Sequence, residues 1–448
     1  MIGGGISGLC TAFYLAKEYG RDAVTVLEAD TRLGGTARTD TADGFTTEWG
    51  PNGFLDKEPL TLQWADDLGL HDRLSRANEN AARRFIYAHG RLNELKGPPA
   101  FLFSPLMSAA GRLRLLCEPF IPQRTSPEPE SIWNFAARRI GREAADVMVA
   151  SMVSGVYAGD AKQLSLQHCF PRMYQLERDH GGLYRALRAI KKQDPTASPM
   201  GPKGTLTTFI GGMGELIETA GQALGDRVRL GASVKRVTPA DGGHTVELDG
   251  GESMQTEHVI FAAPAFAVAG MIEAAEAQTA ARLRSVPYAS ISVVCLAFER
   301  SQVKHDLNGF GFLIPRTEGL RGLGCLWTSS LFNHRASDGK VLLRIMYGGA
   351  TDPGIQDLDD DALTALVAKE IYPILGISGA PTMCRIYRHG RGIPQYSLQH
   401  QQVLDAVDAL EARQPGLHFA GNAYRGVSLN DCVVSARRVL GRIKAATG

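Results

Sequence analysis

The sequence predicts an α/β protein with α+β elements, and three observations predict it. A glycine fingerprint runs straight into an amphipathic helix, a short β-branched run ends in an acid twenty residues further on, and strand-like and helix-like segments alternate down to the C-terminus. In MIGGGISGLC, Gly3, Gly5 and Gly8 fit G-x-G-x-x-G, with Ile6 and Ser7 inside the fingerprint. The stretch from Ile6 to Tyr19 continues as a helix with Leu9, Ala12, Phe13 and Ala16 on one side. Backbone N–H groups and the positive helix end there face a pyrophosphate, and the missing side chains let it approach. The run AVTVLEAD makes a buried strand of Val24, Val26 and Leu27 that ends at Glu28 and Ala29, where a carboxylate reaches ribose hydroxyls. Together these mark a Rossmann-like dinucleotide-binding unit.

Met1 and Ile2 supply only the end of a first strand, which ordinarily runs about five residues. The expectation is that the natural start lies upstream, or that a large surrounding sheet holds the short strand.

A chain of 448 residues with 44% apolar content is long enough for about three domains with real cores. Its 48 basic and 47 acidic residues leave a formal charge of +1, so no global field recruits nucleic acid or an anionic membrane. The seven cysteines (Cys10, Cys117, Cys169, Cys295, Cys325, Cys384 and Cys432) are widely spaced, odd in number and without a CxxC pair. That suits a reducing compartment and speaks against a structural metal site. With no apolar run of about 18 residues and no signal-peptide pattern, the expected location is cytoplasmic.

Beyond Glu28, TRLGGTARTD carries Arg32, Gly34, Gly35 and Thr36, and resembles the E-x-x-x-R-x-G-G signature of the amine-oxidase-like FAD superfamily. EWGPN, with Gly50, Pro51 and Asn52, resembles the stretch that reaches the isoalloxazine ring. At the far end, Gly421 and Asn422 follow the apolar strand LHFA, and Val427, Ser428 and Leu429 lead into a helix starting near Asn430. The resemblance implies FAD as cofactor, with the end of that helix aimed at the flavin N1/C2 region, where it stabilises negative charge. It also implies that Val234 reaches the adenine through its backbone. No residue set suggests a metal, and no histidine joins a hydrolase triad.

The blocks RRFIY, SGVYAGDAKQLSLQHCFPRMYQLERDHGGL, GFGFLIP, IPQY and GNAYRGVSLNDC occur in order along nearly the whole chain. They resemble the oxygen-dependent protoporphyrinogen oxidases, and flavin-type coproporphyrinogen oxidases share most of them. The resemblance implies removal of three hydrides from a porphyrinogen to flavin N5, with O2 reduced to H2O2, in porphyrin and haem biosynthesis. The protein then supplies no covalent nucleophile. It supplies a flat apolar slot, with Phe310 and Leu313 against a pyrrole ring and Arg84 near a substrate carboxylate; Arg83 is the competing cation. An arginine suits a planar carboxylate through paired hydrogen bonds. The partners implied are a tetrapyrrole, O2, a peripheral membrane contact at the inner face and a homodimer, with no nucleic acid. His389 stands where relatives often carry a tryptophan, and reads as a surface histidine. An amine oxidase and a non-catalytic flavin or porphyrin carrier are the rival readings.

The expected organisation is an FAD-binding domain from residues 1–58, 204–270 and 394–448, a mostly helical domain at 59–195 and a sheet-based substrate-binding domain at 271–393. The apolar stretch GPPAFLFSPLMSAAGRLRLLCEPFIP is broken by prolines and charged at Arg112, Arg114 and Glu118, so it cannot span a bilayer. It either lies on a membrane or lines the cleft. TSPEPES and KKQDPTASPMGPKG are the loop or linker candidates. Between them and the C-terminus, SISVVCLAF, KVLLRIMYGG and the helix DDALTALVAKEIYPIL read as a sheet roofed by a helix, with Leu363, Leu366, Val367 and Ile371 on its inner side.

Overall fold

The computed structural model describes residues 1–96, 104–193 and 204–447. The proline-rich start of the apolar stretch (97–103) and residues 194–203 of the run KKQDPTASPMGPKG lie outside the described residues.

The fingerprint helix spans Ile6–Tyr19 and buries more than one stripe: Tyr14 and Leu15 are enclosed along with Leu9 and Ala12. The reason is tertiary, because helices Met213–Leu224 and Leu429–Thr447 pack on it from two sides and share its core. The first strand is reduced to Ile2, which bridges Leu27 on one edge and Phe261 on the other, both in parallel. Gly3 N donates to Leu27 O and Ala262 N to Ile2 O, each at 2.8 Å. Val26–Leu27 continues the sheet to Val228–Arg229, and Val259–Phe261 continues it to Leu417–Phe419. Strands far apart in sequence thus meet in one parallel layer, flanked by a three-stranded antiparallel sheet over Val234–Ala240, Gly243–Leu248 and Ser253–Thr256.

A seven-stranded mixed sheet forms the second layer. Its order is Met383–Pro394, Tyr288–Glu299, Lys340–Gly348, Gly322–Leu326, Gly311–Leu313, Phe85–Ala88 and Arg91–Glu94. Helix Asp360–Leu375 roofs one face, burying Leu363, Val367 and Ile371 against Phe298, Leu343 and Ile345. Asp359 caps it, its carboxylate accepting from Ala362 N at 2.8 Å.

The span 59–195, expected to be mostly helical, carries strands in its first part. Leu74–Arg76 pairs with Leu206–Phe209, and Phe85–Ala88 and Arg91–Glu94 extend the seven-stranded sheet. Leu74–Arg76 and Phe85–Ala88 are decided by partners distant in sequence, which local pattern does not display, while Arg91–Glu94 folds back on Phe85–Ala88 as a local hairpin. Beyond them the chain is helical, with Ile132–Ile140, Ala150–Tyr157, Pro171–His180 and Leu183–Gln193 its longer pieces. Arg139, fully buried, ties this block together. It donates to Glu177 Oε1 (2.5 Å from Nη2), Glu118 Oε1 (3.3 Å), Ile121 O (2.9 Å) and Gly181 O (2.7 Å). All seven cysteines are free, and among the described residues no helix is long and apolar enough to cross a membrane.

Two buried histidines predict acid sensitivity. Desolvation pulls His418 from the usual 6.5 to about 3, helped by its neighbours His258 and Arg442. Desolvation likewise pulls His400 to about 4, against the opposing hydrogen bond to Tyr424 O. Both folded values are depressed, so the folded state binds fewer protons than the unfolded chain below pH 6.5. Stability is therefore full above that pH and falls toward pH 4, by roughly 1.4 kcal/mol per pH unit for each histidine. The urea midpoint should drop between pH 7 and pH 5; a flat midpoint would contradict the assignment.

Candidate functional site

Three cavities of about 680, 300 and 480 Å3 abut in a line. The first lies across the fingerprint. Gly3, Gly5, Ile6, Ser7, Glu28, Ala29, Gly34, Gly35, Thr36, Val234, Gly421 and Asn422 line it, drawing on three separated segments of chain. Gly3 has φ +108° and an added Cβ would stand 2.8 Å from Ala262 O, so only glycine fits where the loop crosses the sheet. Glu28 is oriented from below: its Oε2 accepts from Gly4 N at 2.6 Å and its Oε1 from Asp30 N at 2.8 Å.

The second cavity shares Ile6, Thr36, Gly392, Asn422 and Cys432 with the first. Gly50, Pro51, Asn52, Val427, Ser428 and Leu429 also line it. Ser428 Oγ accepts from Asp431 N (3.2 Å) while Asp431 Oδ2 accepts from Ser428 N (3.0 Å), a reciprocal cap that starts the last helix at Leu429. Tyr396 of IPQY clamps the loop before it, donating to Asn422 O (2.6 Å) and accepting from Gly426 N (2.8 Å). Asn52 is buried, and neither its amide nitrogen nor its oxygen has a protein partner. A buried amide left with both functions unspent calls for a ligand offering a donor and an acceptor side by side, as the pyrimidine edge of a flavin does.

The third cavity is an apolar slot shared with the second along Gly155, Val156, Arg344 and Met346. Phe310, Phe312 and Leu313 form one wall, Met148 and Met152 another, and Arg84 lies at its rim. The Arg84 guanidinium sits 5.0 Å over the Phe310 ring. It is open to solvent yet crowded by neighbouring atoms, and that desolvation lowers its pKa from the ordinary value. Among the described residues it faces no carboxylate, whereas Arg83 is spent on Glu94 at 3.1 Å.

Two predicted residues line none of these cavities. Gly8 packs the fingerprint instead of facing the opening. Arg32 lies 4.6 Å over the Trp49 indole, which also stacks on Tyr387 at 4.7 Å. The reading of His389 as a surface residue is corrected: it lines the middle cavity, and its Nε2 donates to Trp49 O at 3.0 Å. Burial lowers its pKa, so the ring is a neutral wall element. The sequence reading missed Trp49, Tyr288, Arg391, Gly392, Gly155, Val156, Arg344 and Met346 as lining residues. Gly155 and Val156 stand inside the block SGVYAGD, and Arg344 interrupts the apolar strand VLLRIMY, which were the available signals.

A glycine-lined trough opening on an apolar slot defines a flavin-dependent oxidoreductase, and comparison with known proteins agrees. The sequence profile of the flavin containing amine oxidoreductases matches residues 6–443. Coproporphyrinogen III oxidase of Bacillus subtilis is 31% identical over 451 residues, covering 97% of this chain and 95% of its own. Chloroplastic protoporphyrinogen oxidase 1 of Arabidopsis thaliana is 31% identical over 468 residues, covering 97% and 86%. The crystal structure of an Exiguobacterium sp. 255-15 protein superposes with a TM-score of 0.85 at 25% identity, over 99% of this chain and 98% of that one. The chain belongs to the flavin containing amine oxidoreductase family and, within it, to the FAD-dependent porphyrinogen oxidases.

Proposed function

We propose that the protein oxidises protoporphyrinogen IX to protoporphyrin IX, reducing O2 to H2O2, with FAD in the first two cavities and the tetrapyrrole in the third. The observation that carries this is the apolar slot, with a rim arginine that has no acidic partner among the described residues, opening directly on the cavity lined by Asn52 and Val427–Leu429. When bound there, FAD supplies the hydride-accepting chemistry. The chain's own residues bind and orient. The glycine loop and the start of helix Ile6–Tyr19 hold the diphosphate, Glu28 the ribose, Val234 the adenine, and Asn52 with the capped start of the last helix the pyrimidine ring. Segments 1–58, 204–270 and 394–448 form the FAD-binding domain in this reading, with 271–393 and the helical block around the substrate. Phe310 and Leu313 keep water from the reacting face, and Arg84 takes a propionate. Coproporphyrinogen III is the second reading, favoured by the Bacillus relative; it differs from protoporphyrinogen at two substituents, and Arg84 suits either.

Anaerobic mixing of the FAD-loaded protein with each porphyrinogen should bleach the visible flavin band. Porphyrin fluorescence under air then ranks the two substrates by kcat/KM. A spectrum left unbleached by both would overturn the reading, and bleaching by polyamines in their place would make the protein an amine oxidase.

Arg84→Met should raise KM for the porphyrinogen roughly ten- to hundredfold with kcat nearly unchanged, the loss of about 1.5–3 kcal/mol for a hydrogen bond to a charged group. Arg83→Met, whose partner is Glu94, should leave KM within a factor of about three. Equal effects of the two variants would remove the carboxylate role from Arg84.

A peripheral membrane contact is part of the same reading, supported by Leu113, Leu116 and Phe120, which are 65%, 54% and 84% exposed. Phe120→Ser combined with Leu113→Ser should cut co-sedimentation with liposomes by at least half; unchanged partition would place the contact elsewhere.

A further inference from the structure

Arg344 occupies the middle of the seven-stranded sheet, in register between Cys295 and Leu326. On its strand, Val341, Leu343, Ile345 and Tyr347 face the roofing helix. Leu342, Arg344 and Met346 face the opposite side, where Arg344 and Met346 line both the middle cavity and the slot. The residue is 7% exposed. One donor, Nη2, reaches Gly50 O at 2.6 Å; Nη1 has only Met346 Sδ at 4.0 Å, and Nε has no partner. Among the described residues no carboxylate lies within ion-pair distance. Glu48, which acts on Arg344 only from afar, is occupied by Arg335 and Thr39, each at 2.6 Å, and by Met213 N at 2.9 Å. Desolvation lowers the pKa of the guanidinium without neutralising a group of such high intrinsic basicity.

A buried charge without a counter-charge costs several kcal/mol, and an apolar residue of similar volume would remove that cost. The position would take leucine or methionine as its strand neighbours do. Its cation therefore serves a negative charge that none of the described residues places beside it. We propose that Arg344 is the cation that stabilises the extra negative charge on FAD when hydride arrives, and so raises the reduction potential of the bound cofactor. The balance is simple: substrate loses a hydride to the cofactor and a proton to solvent, and O2 with a proton takes the hydride back as H2O2. Arg344 exchanges no atom; its positive charge is worth most when the cofactor is reduced, which makes the stabilisation differential.

This inference rests on FAD occupying the middle cavity, and its test needs no porphyrinogen. The reduction potential of bound FAD and its affinity for sulfite, which adds at flavin N5 and leaves a negative charge on the ring, are measured for the wild type, Arg344→Gln and Arg344→Lys. Glutamine keeps a donor for Gly50 O but not the charge; lysine keeps the charge. Arg344→Gln should shift the two-electron equilibrium at least tenfold toward oxidised FAD, about 30 mV, and weaken sulfite binding at least tenfold, while Arg344→Lys keeps most of both. The melting temperature of the apoprotein should not fall in Arg344→Gln. Four results overturn the proposal: unchanged potential and sulfite affinity in Arg344→Gln, equal losses in both variants, failure of both to fold or hold FAD, or a change confined to KM for the porphyrinogen. A wild-type protein that takes up no FAD refutes the placement of the cofactor instead.

Discussion

Gly8→Ala is expected to yield a protein that purifies without yellow colour and binds added FAD at least a hundredfold more weakly than the wild type. An alanine Cβ at this position would stand 1.9 Å from Gly3 O and 3.4 Å from the Ala262 side chain. Neither backbone can yield cheaply, because Gly3 N is held by Leu27 O and Ala262 N by Ile2 O in the parallel sheet. The loop must therefore move by about 1 Å relative to the helix. A displacement of that size is enough to cost two orders of magnitude where a ligand is held by oriented groups, and overpacking adds about 1–3 kcal/mol of lost stability. Gly5→Ala separates the two effects. Its added Cβ meets no protein atom within 4 Å and points into open space beside the first cavity. That variant should melt like the wild-type apoprotein yet still bind FAD poorly. FAD content by absorbance and thermal melting of the apoproteins check both; a yellow, stable Gly8→Ala protein would contradict the account of the fingerprint.

The second large effect is expected at Arg139, which lines none of the three cavities. Arg139→Met removes a fully buried cation that Glu118 and Glu177, 4% and 5% exposed, both face. Arg138 also reaches Glu177, at 2.8 Å, and retains part of its compensation. Glu118 keeps only the backbone donors Leu183 N and Tyr184 N, at 2.7 and 2.9 Å. Breaking a buried pair from one side costs about 3–5 kcal/mol, a large share of a typical margin of about 5–15 kcal/mol. The helical wall of the slot should loosen before the nucleotide layer does. Limited proteolysis is then expected to cut within residues 104–193 while FAD stays bound, and a variant as protease-resistant as the wild type would refute the role. Acid weakens the same network. Burial alone would raise the pKa of Glu177, but its hydrogen bonds to Arg138 and Arg139 outweigh that and hold it below the usual 4.5. A depressed carboxylate adds stability above its unfolded pKa that is lost as pH falls through the folded value.

Much of the architecture was legible because it is written in short-range pattern. Helix Ile6–Tyr19 follows from the glycine fingerprint and its apolar spacing, and Asp360–Leu375 from period and an N-terminal Asp cap. The strands Gly243–Leu248 and Tyr288–Glu299 follow from alternation and β-branched runs. Some short strands were less legible. Leu74–Arg76 and Gly311–Leu313 exist through Leu206–Phe209 and Phe85–Ala88, which are distant in sequence. The site divides in the same way. Residues named from motifs (Gly3, Glu28, Gly50, Asn52, Gly421, Val427) line the cavities, whereas Arg344 and Met346 lack a motif of their own and become lining residues only when three cavities are assembled. His389 was misplaced for a related reason. Nothing local shows that Trp49 packs against it and accepts from its Nε2.

The sequence by itself determined the flavin family and the dinucleotide fingerprint with its acid, because each depends on residue types at fixed spacing along one stretch of chain. The tertiary structure alone decided that Arg83 is spent on Glu94 while Arg84 has no counter-charge among the described residues, that Asn52 keeps both amide functions unspent, and that a buried arginine from the central sheet lines both the middle cavity and the slot. Those are questions of which groups remain unpaired after folding. Pairing is settled by side chains that arrive from distant segments, so it has no local signature to read.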